Sequence, residues 1–183
     1  IQADPHHEMT MPQALKTILR MDPDMILVGE IRDAQSAVTA VRAAASGRFV
    51  LATLHARDTA LASEACHYYS VPRHLLGNTL RMVTSQALVR RVCTECADRR
   101  RPTDGEAGRF RRYGIPVPEH VPVARGCRAC HDFGYKGRVG VFEVVAVDRE
   151  TGALLSHNRN PGAIRETLAA AGQPSVQQDA LRK

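Results

Sequence analysis

The sequence is poor in aromatic residues and contains no long apolar segment. It has no tryptophan, and the aromatic share of its 183 residues is 4%. No apolar run approaches the roughly 20 residues that a membrane-spanning helix requires, and no signal peptide is recognisable at the first residues. With an apolar content of 44%, the chain is predicted to be a cytoplasmic globular protein, not a membrane-embedded or secreted one.

One nucleotide-binding motif is also missing. The sequence has no Gly-x-x-x-x-Gly-Lys-Ser/Thr string, the loop that cradles phosphates with backbone N–H groups and a lysine. The chain therefore does not contain a complete P-loop nucleotide site. We expect it to bind nucleotide only very weakly by itself.

Cysteine is scarce, but four of the five cysteines follow a metal-binding pattern. The pairs Cys93-x-x-Cys96 and Cys127-x-x-Cys130 are separated by 30 residues. Two such pairs supply the four thiolates of a closed, structural zinc site, whereas redox-active dithiols and unliganded cysteines are the alternatives. An odd number of cysteines without a signal peptide argues against a disulfide framework.

The net charge of +6 is confined to the segment that carries these cysteines. Residues 90–138 contain 12 basic and 6 acidic side chains, and the flanking segments are balanced. Such an excess is typical of a surface that meets nucleic acid or an anionic membrane, but the negative charge of a zinc tetrathiolate would offset part of it. Few aromatic residues are available for base stacking, so a solvated or protein-facing patch is favoured over a nucleic-acid site.

Two short apolar runs predict neighbouring strands of a parallel sheet. The first spans residues 25–28 and has the pattern of a strand buried on both faces. The second spans residues 49–52, and the alanine-rich stretch 34–46 predicts a helix between them, capped by Asp33 or Ser36. Strand, helix and strand at this spacing form a βαβ unit with a right-handed crossover.

A polar side chain follows each of these strands. Glu30 comes shortly after the first strand and His55 shortly after the second. Because ligands of open α/β sheets bind outside the carboxyl ends of the strands, we expect Glu30 and His55 to share one edge and one site. There the carboxylate would hold a metal-bound water or activate a water. The alternatives are a solvated glutamate and a hydrogen-bonded structural histidine.

Further helices and one returning strand are predicted beyond the βαβ unit. Residues 72–92 have the pattern of one long helix, because Pro72 suits a first turn and leucine and valine recur in the segment. A strand is predicted around residues 139–147. Other helices are predicted from Pro12, over residues 59–69, and in the tail around residues 153–155, 163–171 and 176–181.

The sequence resembles the type II secretion and type IV pilus assembly ATPases. The resemblance is carried by residues 19–33, Gly47–His55, the first cysteine pair and Gly126–Glu143. In that family the phosphate loop lies upstream of such motifs. The resemblance implies an α/β fold, namely the C-terminal part of a RecA-like P-loop ATPase domain with a tetracysteine zinc annex and a C-terminal helical segment. The implied domains are residues 1–92 (ATPase core), 93–137 (metal-binding annex) and 138–183 (C-terminal strand and helices).

The resemblance also implies roles for individual residues. Glu30 and His55 would be catalytic, with His55 in the place of a histidine that senses the terminal phosphate. Arg20 and Arg32 fall on family positions that contact phosphate, and a structural ion pair is the alternative for each. The metal ligands would be the four paired cysteines, Cys93, Cys96, Cys127 and Cys130.

The chain departs from the family pattern at several positions. Arg48 stands where the family usually has histidine, and Ala56-Arg57 stand where it tends to have Thr-Asn. Ala87 replaces the first arginine of a Gln-Arg-Leu-x-Arg motif. The first two departures bear on phosphate sensing if they are not neutral surface changes.

Cofactors and partners follow from the same resemblance. ATP, Mg²⁺ and Zn²⁺ are implied, together with a homohexamer that docks on inner-membrane platform and adaptor proteins of a secretion or pilus system. The implied location is cytoplasmic and peripheral at the inner membrane, with no specific nucleic acid as partner. A zinc-bearing protein-binding module without ATPase activity of its own is the alternative function.

Overall fold

The computed structural model describes residues 10–158 and 160–183, and its helices and strands confirm the predicted α/β class. In chain order the elements are α1 (Met11–Leu19), β1 (Met25–Val28), α2 (Ala34–Ala45), β2 (Phe49–Ala52), α3 (Thr59–Tyr68), α4 (Arg73–Thr79), β3 (Met82–Val92), β4 (Asp98–Arg100), α5 (Asp104–Arg112), β5 (Val121–Val123), a 3₁₀ turn (Arg128–Cys130), β6 (Tyr135–Ala146), α6 (Arg149–His157), α7 (Pro161–Ala170) and α8 (Val176–Arg182).

The described residues form two units, each with its own internal contacts. The first unit contains the described residues up to Thr84 together with Val144–Gln173. The second contains Ser85–Glu143 and Pro174–Lys183. The domain boundaries expected from the sequence, after residues 92 and 137, stay a prediction.

A strand–helix–strand unit lies at the centre of the first unit. Strands β1 and β2 pair in parallel, with Ile26 opposite Val50 and Val28 opposite Ala52. Helix α2 connects them, and its N-cap is Asp33, whose carboxylate accepts the backbone N–H of Ser36 at 2.8 Å. The predicted strands and the predicted helix cap are therefore confirmed.

The two faces of this sheet differ in burial. Val28 is 2% exposed and packs with helices α1, α2 and α4, whereas Leu27 is 74% exposed. The prediction of a strand buried on both faces is therefore wrong for the described residues, because their helices cover only one face of the sheet. A run of four apolar residues does not distinguish strands covered on one face from strands covered on two.

A second apolar cluster of the first unit surrounds helix α6. Its buried members are Ala60, Val145, Val147, Leu155, Ile164 and Leu168. Beside this cluster, helices α4 and α6 approach each other closely at two glycines. A Cβ atom built on Gly152 would lie 2.6 Å from the carbonyl oxygen of Gly77, so a side chain at this position would force the helices apart.

The predicted long helix over residues 72–92 is wrong. Helix α4 ends at Thr79, Leu80 is extended, and strand β3 runs from Met82 to Val92 and forms a two-stranded sheet with β6. The β-branched residues of the segment favour a strand, and its pairing partner lies more than 40 residues further along the chain. Local periodicity could not show that partner. The predicted strand around residues 139–147 is confirmed within β6.

The second unit is built from short elements around the cysteine pairs. Strands β4 and β5 pair antiparallel, with Arg99 opposite Pro122. Helix α5 begins at Thr103 with a capping box, in which Glu106 and Thr103 bond each other's backbone N–H groups. In the described part of the chain, every helix is too short or too polar to cross a lipid bilayer.

Candidate functional site

Glu30 and His55 lie together at the carboxyl ends of β1 and β2. Backbone hydrogen bonds continue past the ends of the strands, from Ile31 N–H to Thr53 O at 2.8 Å and from Thr53 N–H to Val28 O at 3.4 Å. They hold the two connecting segments side by side. Oε1 of Glu30 lies 2.5 Å from Nε2 of His55. The predicted shared edge is thus confirmed, whereas the catalytic roles of the two residues stay a prediction.

Arg32 contacts the other oxygen of the same carboxylate. Its Nε donates to Oε2 of Glu30 at 2.7 Å, and its Nη2 forms a second, shorter contact with the same oxygen. This hydrogen bond and the charge of Arg32 hold the pKa of Glu30 below its ordinary value. Glu30 is therefore an ionised carboxylate at neutral pH and a weak base, which suits it to orienting a water molecule.

The structure does not bring Arg20 to this edge. Arg20 is the exposed C-terminal cap of α1, and its side chain makes no hydrogen bond or ion pair with any residue that the structure describes. The alternative of a structural ion pair of Arg20 with a carboxylate of this chain finds no support among the described residues. For Arg32 the structure does show an ion pair, but with Glu30 itself.

An ion pair that the sequence did not reveal involves Arg48. Its Nη2 lies 2.8 Å from Oδ1 of Asp22, and its Nη1 donates to the hydroxyl of Ser46 at 2.9 Å. Asp22 has a positive φ of 50° in the turn before β1. The arginine that departs from the family pattern thus joins the turns that precede the two strands.

A cleft of about 580 Å³ opens next to His55. Helix α3 forms one wall with Glu64 and Tyr68, and the other departing residues, Ala56 and Arg57, line the cleft as well. The ring of Tyr68 is exposed and meets Tyr69 edge-on, with centroids 5.6 Å apart. This concave, partly polar surface gives the Glu30–His55 edge a neighbouring recess for part of a ligand.

The four paired cysteines converge on one point of the second unit. Their Sγ atoms all lie within 4.8 Å of one another, and Cys130 Sγ is 3.8 Å from both Cys96 Sγ and Cys127 Sγ. Tetrahedral zinc with Zn–S bonds of about 2.3 Å sets its sulfurs about 3.8 Å apart, whereas a disulfide requires about 2.05 Å. The spacing therefore fits a tetrathiolate metal site and not a disulfide pair.

Backbone N–H groups point at these sulfurs, as a thiolate site requires. Cys96 Sγ accepts from the N–H of Gly126 at 3.3 Å, and Cys130 Sγ accepts from Cys127 and Gly134, each at 3.2 Å. Burial raises the pKa of the Cys127 thiol to about 11. Burial acts in the same direction on Cys130, but the N–H donors of Cys127 and Gly134 and the neighbouring thiols lower the pKa of Cys130 to about 7. Hydrogen bonds of this kind favour the charged sulfur that binds metal.

At two positions in the cysteine loops, both the backbone conformation and the lack of space for a Cβ atom require glycine. Gly126 and Gly134 have φ values of 118° and 73°. A Cβ atom on Gly126 would lie 2.7 Å from Asp132 O, and one on Gly134 would lie 2.7 Å from Ala124 Cβ. Gly126 and Gly134 therefore deliver N–H groups to the sulfurs from backbone positions that only glycine fits.

Part of the positive charge of this unit is neutralised locally. Arg125 pairs with Asp98, and Arg100 pairs with Glu106, whose pKa falls to about 2 because of Arg100 and the Thr103 donors. Several other arginine side chains are exposed and make no hydrogen bond or ion pair among the described residues: Arg99, Arg101, Arg109, Arg111, Arg112, Arg128 and Arg138. The basic patch predicted from the sequence is thus an exposed surface.

Comparison with known proteins gives the class of this chain. The family described as type II/IV secretion system protein matches residues 1–183. The chain belongs to this family.

Individual relatives are longer than this chain. It is 38% identical over 182 residues to the type II secretion system protein HxcR of Pseudomonas aeruginosa, an alignment that covers 100% of this chain and 35% of HxcR. It is 37% identical over 187 residues to the type IV pilus assembly ATPase PilB of Thermus thermophilus, covering 100% of this chain and 21% of PilB. The chain therefore spans about a third of the length of the first of these relatives and less of the second.

A solved structure supports the fold independently. The X-ray structure of the Legionella pneumophila ATPase DotB superposes with a TM-score of 0.60 at 21% identity, over 96% of this chain and 38% of the DotB chain. At this level of identity the likeness concerns the fold alone.

Proposed function

We propose that this chain is part of a hexameric secretion or pilus-assembly motor and contributes the hydrolytic edge of its ATP site. The observation that supports this proposal most strongly is the 2.5 Å contact between Glu30 Oε1 and His55 Nε2 at the shared ends of β1 and β2. An acid and an imidazole at that edge of an α/β sheet form an arrangement suited to water activation and phosphate sensing.

Glu30 orients the attacking water in this proposal. Its pKa is lowered chiefly by Arg32, so the carboxylate is ionised at working pH and accepts hydrogen bonds from a water. Phosphoryl transfer depends mainly on positioning and on charge stabilisation, so a weak, well-placed base suffices. ATP and Mg²⁺ supply the transferring phosphoryl group and the charge that balances it.

His55 and the arginines act on the phosphate side. The side chain of His55 is 90% exposed, so its ring is free to meet a ligand while it contacts Glu30. Arg32, with 77% of its side chain exposed, has donors left over for a phosphate after it binds Glu30. Arg20 is exposed on α1 and is proposed to reach phosphate only across a subunit contact of the hexamer.

The tetracysteine cluster is proposed to hold one zinc ion with a structural role. Four thiolate ligands leave no open position for catalysis, so Cys93, Cys96, Cys127 and Cys130 would fasten the loops of the annex. The annex, residues 93–137, would then present a rigid, basic surface that binds platform and adaptor proteins at the inner membrane. The proposed motor is cytoplasmic and peripheral to that membrane.

Nucleotide affinity tests whether the chain holds only part of the ATP site. We expect the Glu30–His55 edge of the 183-residue chain to bind ATP·Mg²⁺ with a Kd weaker than about 1 mM, because the chain has no P-loop lysine or cradle of N–H groups. A longer form that includes an upstream P-loop is expected to bind in the micromolar range. Calorimetric titration of both forms, with EDTA as the metal-free control, provides the comparison.

Two outcomes would count against the proposal. Micromolar ATP affinity at the Glu30–His55 edge of the 183-residue chain would contradict the division of the site between two parts of the protein. Absence of nucleotide binding by the longer form, with zinc retained, would favour a zinc-bearing binding module that acts through the exposed arginines of its annex.

A further inference from the structure

A second cavity of the first unit lies apart from Glu30 and His55 and contains none of the residues assigned above. Its volume is about 720 Å³, within the range of roughly 300–1,000 Å³ that small-molecule sites occupy. Residues of α4, α6 and the segments just before β3 and α6 line it. Gly77 lines the cavity where α4 and α6 approach each other, and a Cβ atom at this position would lie 2.9 Å from the hydroxyl oxygen of Ser156.

The cavity is strongly basic. Arg73, Arg81 and Arg149 all line it, are all exposed, and have side chains without a hydrogen bond or ion pair in the described part of the chain. The lining contains a single carboxylate, Asp148, which already accepts the N–H of Thr151 at 2.8 Å as the cap of α6. The three arginines and Asp148 therefore give the lining a net formal charge of +2 with its histidines neutral, and none of the three arginines pairs with Asp148.

Neutral polar groups complete the lining. His74 and Asn78 on α4 offer an imidazole and an amide, and His157 faces them from α6. The hydroxyl of Ser156 is occupied by contacts with Ala153 O at 3.1 Å and His157 Nδ1 at 3.0 Å. The wall is thus rich in hydrogen-bond donors and more polar than apolar, which disfavours a purely hydrophobic ligand.

We infer that this cavity binds a free small molecule that carries two or more phosphate groups. A guanidinium presents parallel N–H donors that match phosphate oxygens, and three of them around one cavity offer separate bidentate partners for more than one phosphate group. The volume leaves space for a sugar or base beside the phosphates. The site is independent of the proposed ATP edge, so failure of either leaves the other standing.

Titration of the 183-residue chain with pyrophosphate, followed by calorimetry and by backbone NMR, tests this inference. We expect one saturable site, with amide shifts centred on Gly77, Asn78 and Arg149. The double variant Arg73→Gln/Arg149→Gln is expected to bind about 10-fold more weakly or worse, because two bidentate contacts are lost. ADP in place of pyrophosphate shows whether the nucleoside adds affinity, and its binding must respond to the same variant.

A matched control has the same change in charge elsewhere in the unit. Lys16 and Arg42 are exposed on α1 and α2, and Lys16→Gln/Arg42→Gln is expected to keep the wild-type affinity within about 2-fold. Equal weakening by both double variants would show non-specific attraction and overturn the inference. So would binding to phosphatidylglycerol vesicles or to a polyglutamate peptide without binding to pyrophosphate. If the Arg73→Gln/Arg149→Gln variant unfolds at a lower temperature than the wild type, the wild-type NMR titration tests the inference instead. Shifts centred on Gly77, Asn78 and Arg149 would support the site, and shifts elsewhere would overturn it.

Discussion

Replacing Glu30 by glutamine is expected to lower the ATP turnover of the intact motor by about 100-fold or more while nucleotide affinity stays within a few-fold. Glutamine keeps the size of the side chain and one acceptor oxygen. It loses the charge that orients water and the ion pair with Arg32. Steady-state phosphate release, with a fluorescent ATP analogue for affinity, separates the chemical step from binding.

The control for this prediction makes the same chemical change on the surface. Glu166 is exposed on α7 and has no hydrogen bond or ion pair among the residues described. Glu166→Gln is expected to turn over ATP at the wild-type rate. Full activity of Glu30→Gln would remove the proposed role of the carboxylate.

The lowered pKa of Glu30 also bears on how the wild-type motor responds to pH. Because Arg32 lowers that pKa below the ordinary value of about 4.5, the Glu30 carboxylate is charged throughout the neutral range. The stability that the pair contributes is fully present above the unfolded pKa and is lost as the pH falls through the lowered folded pKa. An acid limb of activity between pH 5 and 7 therefore has to come from another group.

Changing Cys93 and Cys127 to serine is expected to abolish zinc binding and to unfold the annex. The wild type should hold about one zinc per chain, and binding of a structural zinc contributes an apparent free energy of roughly 10–16 kcal/mol in zinc-finger peptides. The segment between the cysteine pairs buries few apolar side chains, with Ala107 at 6% exposure among the few. Metal analysis and amide hydrogen exchange over residues 97–126 measure both effects.

Cys66 provides the matched control for the zinc variant. It lies on α3 outside the cluster, and burial raises its pKa to about 11. Cys66→Ser is therefore expected to keep full zinc and slow exchange in the annex. Wild-type zinc content in the Cys93→Ser/Cys127→Ser variant would refute the site.

Local sequence signals predicted well that Glu30 and His55 meet at one edge of the sheet. A short apolar run followed by a charged residue placed β1 and Glu30, and the same logic placed β2 and His55, because parallel strands end at one edge. Cys-x-x-Cys spacing likewise predicted which sulfurs meet. Each Cys-x-x-Cys turn places two sulfurs close together, and the fold then brings the two turns together.

Contacts between distant segments could not be predicted in the same way. Strand β3 was predicted as helix because its pairing with β6 is invisible to a local pattern. The ion pair of Arg48 with Asp22 depends on two turns meeting before the strands. Leu27 is exposed because no element of the described chain covers its face of the sheet. An apolar run does not show whether one or both faces of a strand are covered.

The most direct test of the central claim is a double-mutant cycle on Glu30 and His55 in the intact motor. Single-turnover hydrolysis is measured for Glu30→Gln, His55→Asn and the double variant. If the two side chains act as one unit at the edge, the double variant hydrolyses ATP no more slowly than about the slower single variant. If the rate losses of the two single variants multiply in the double variant, Glu30 and His55 act independently, and this result would contradict the account.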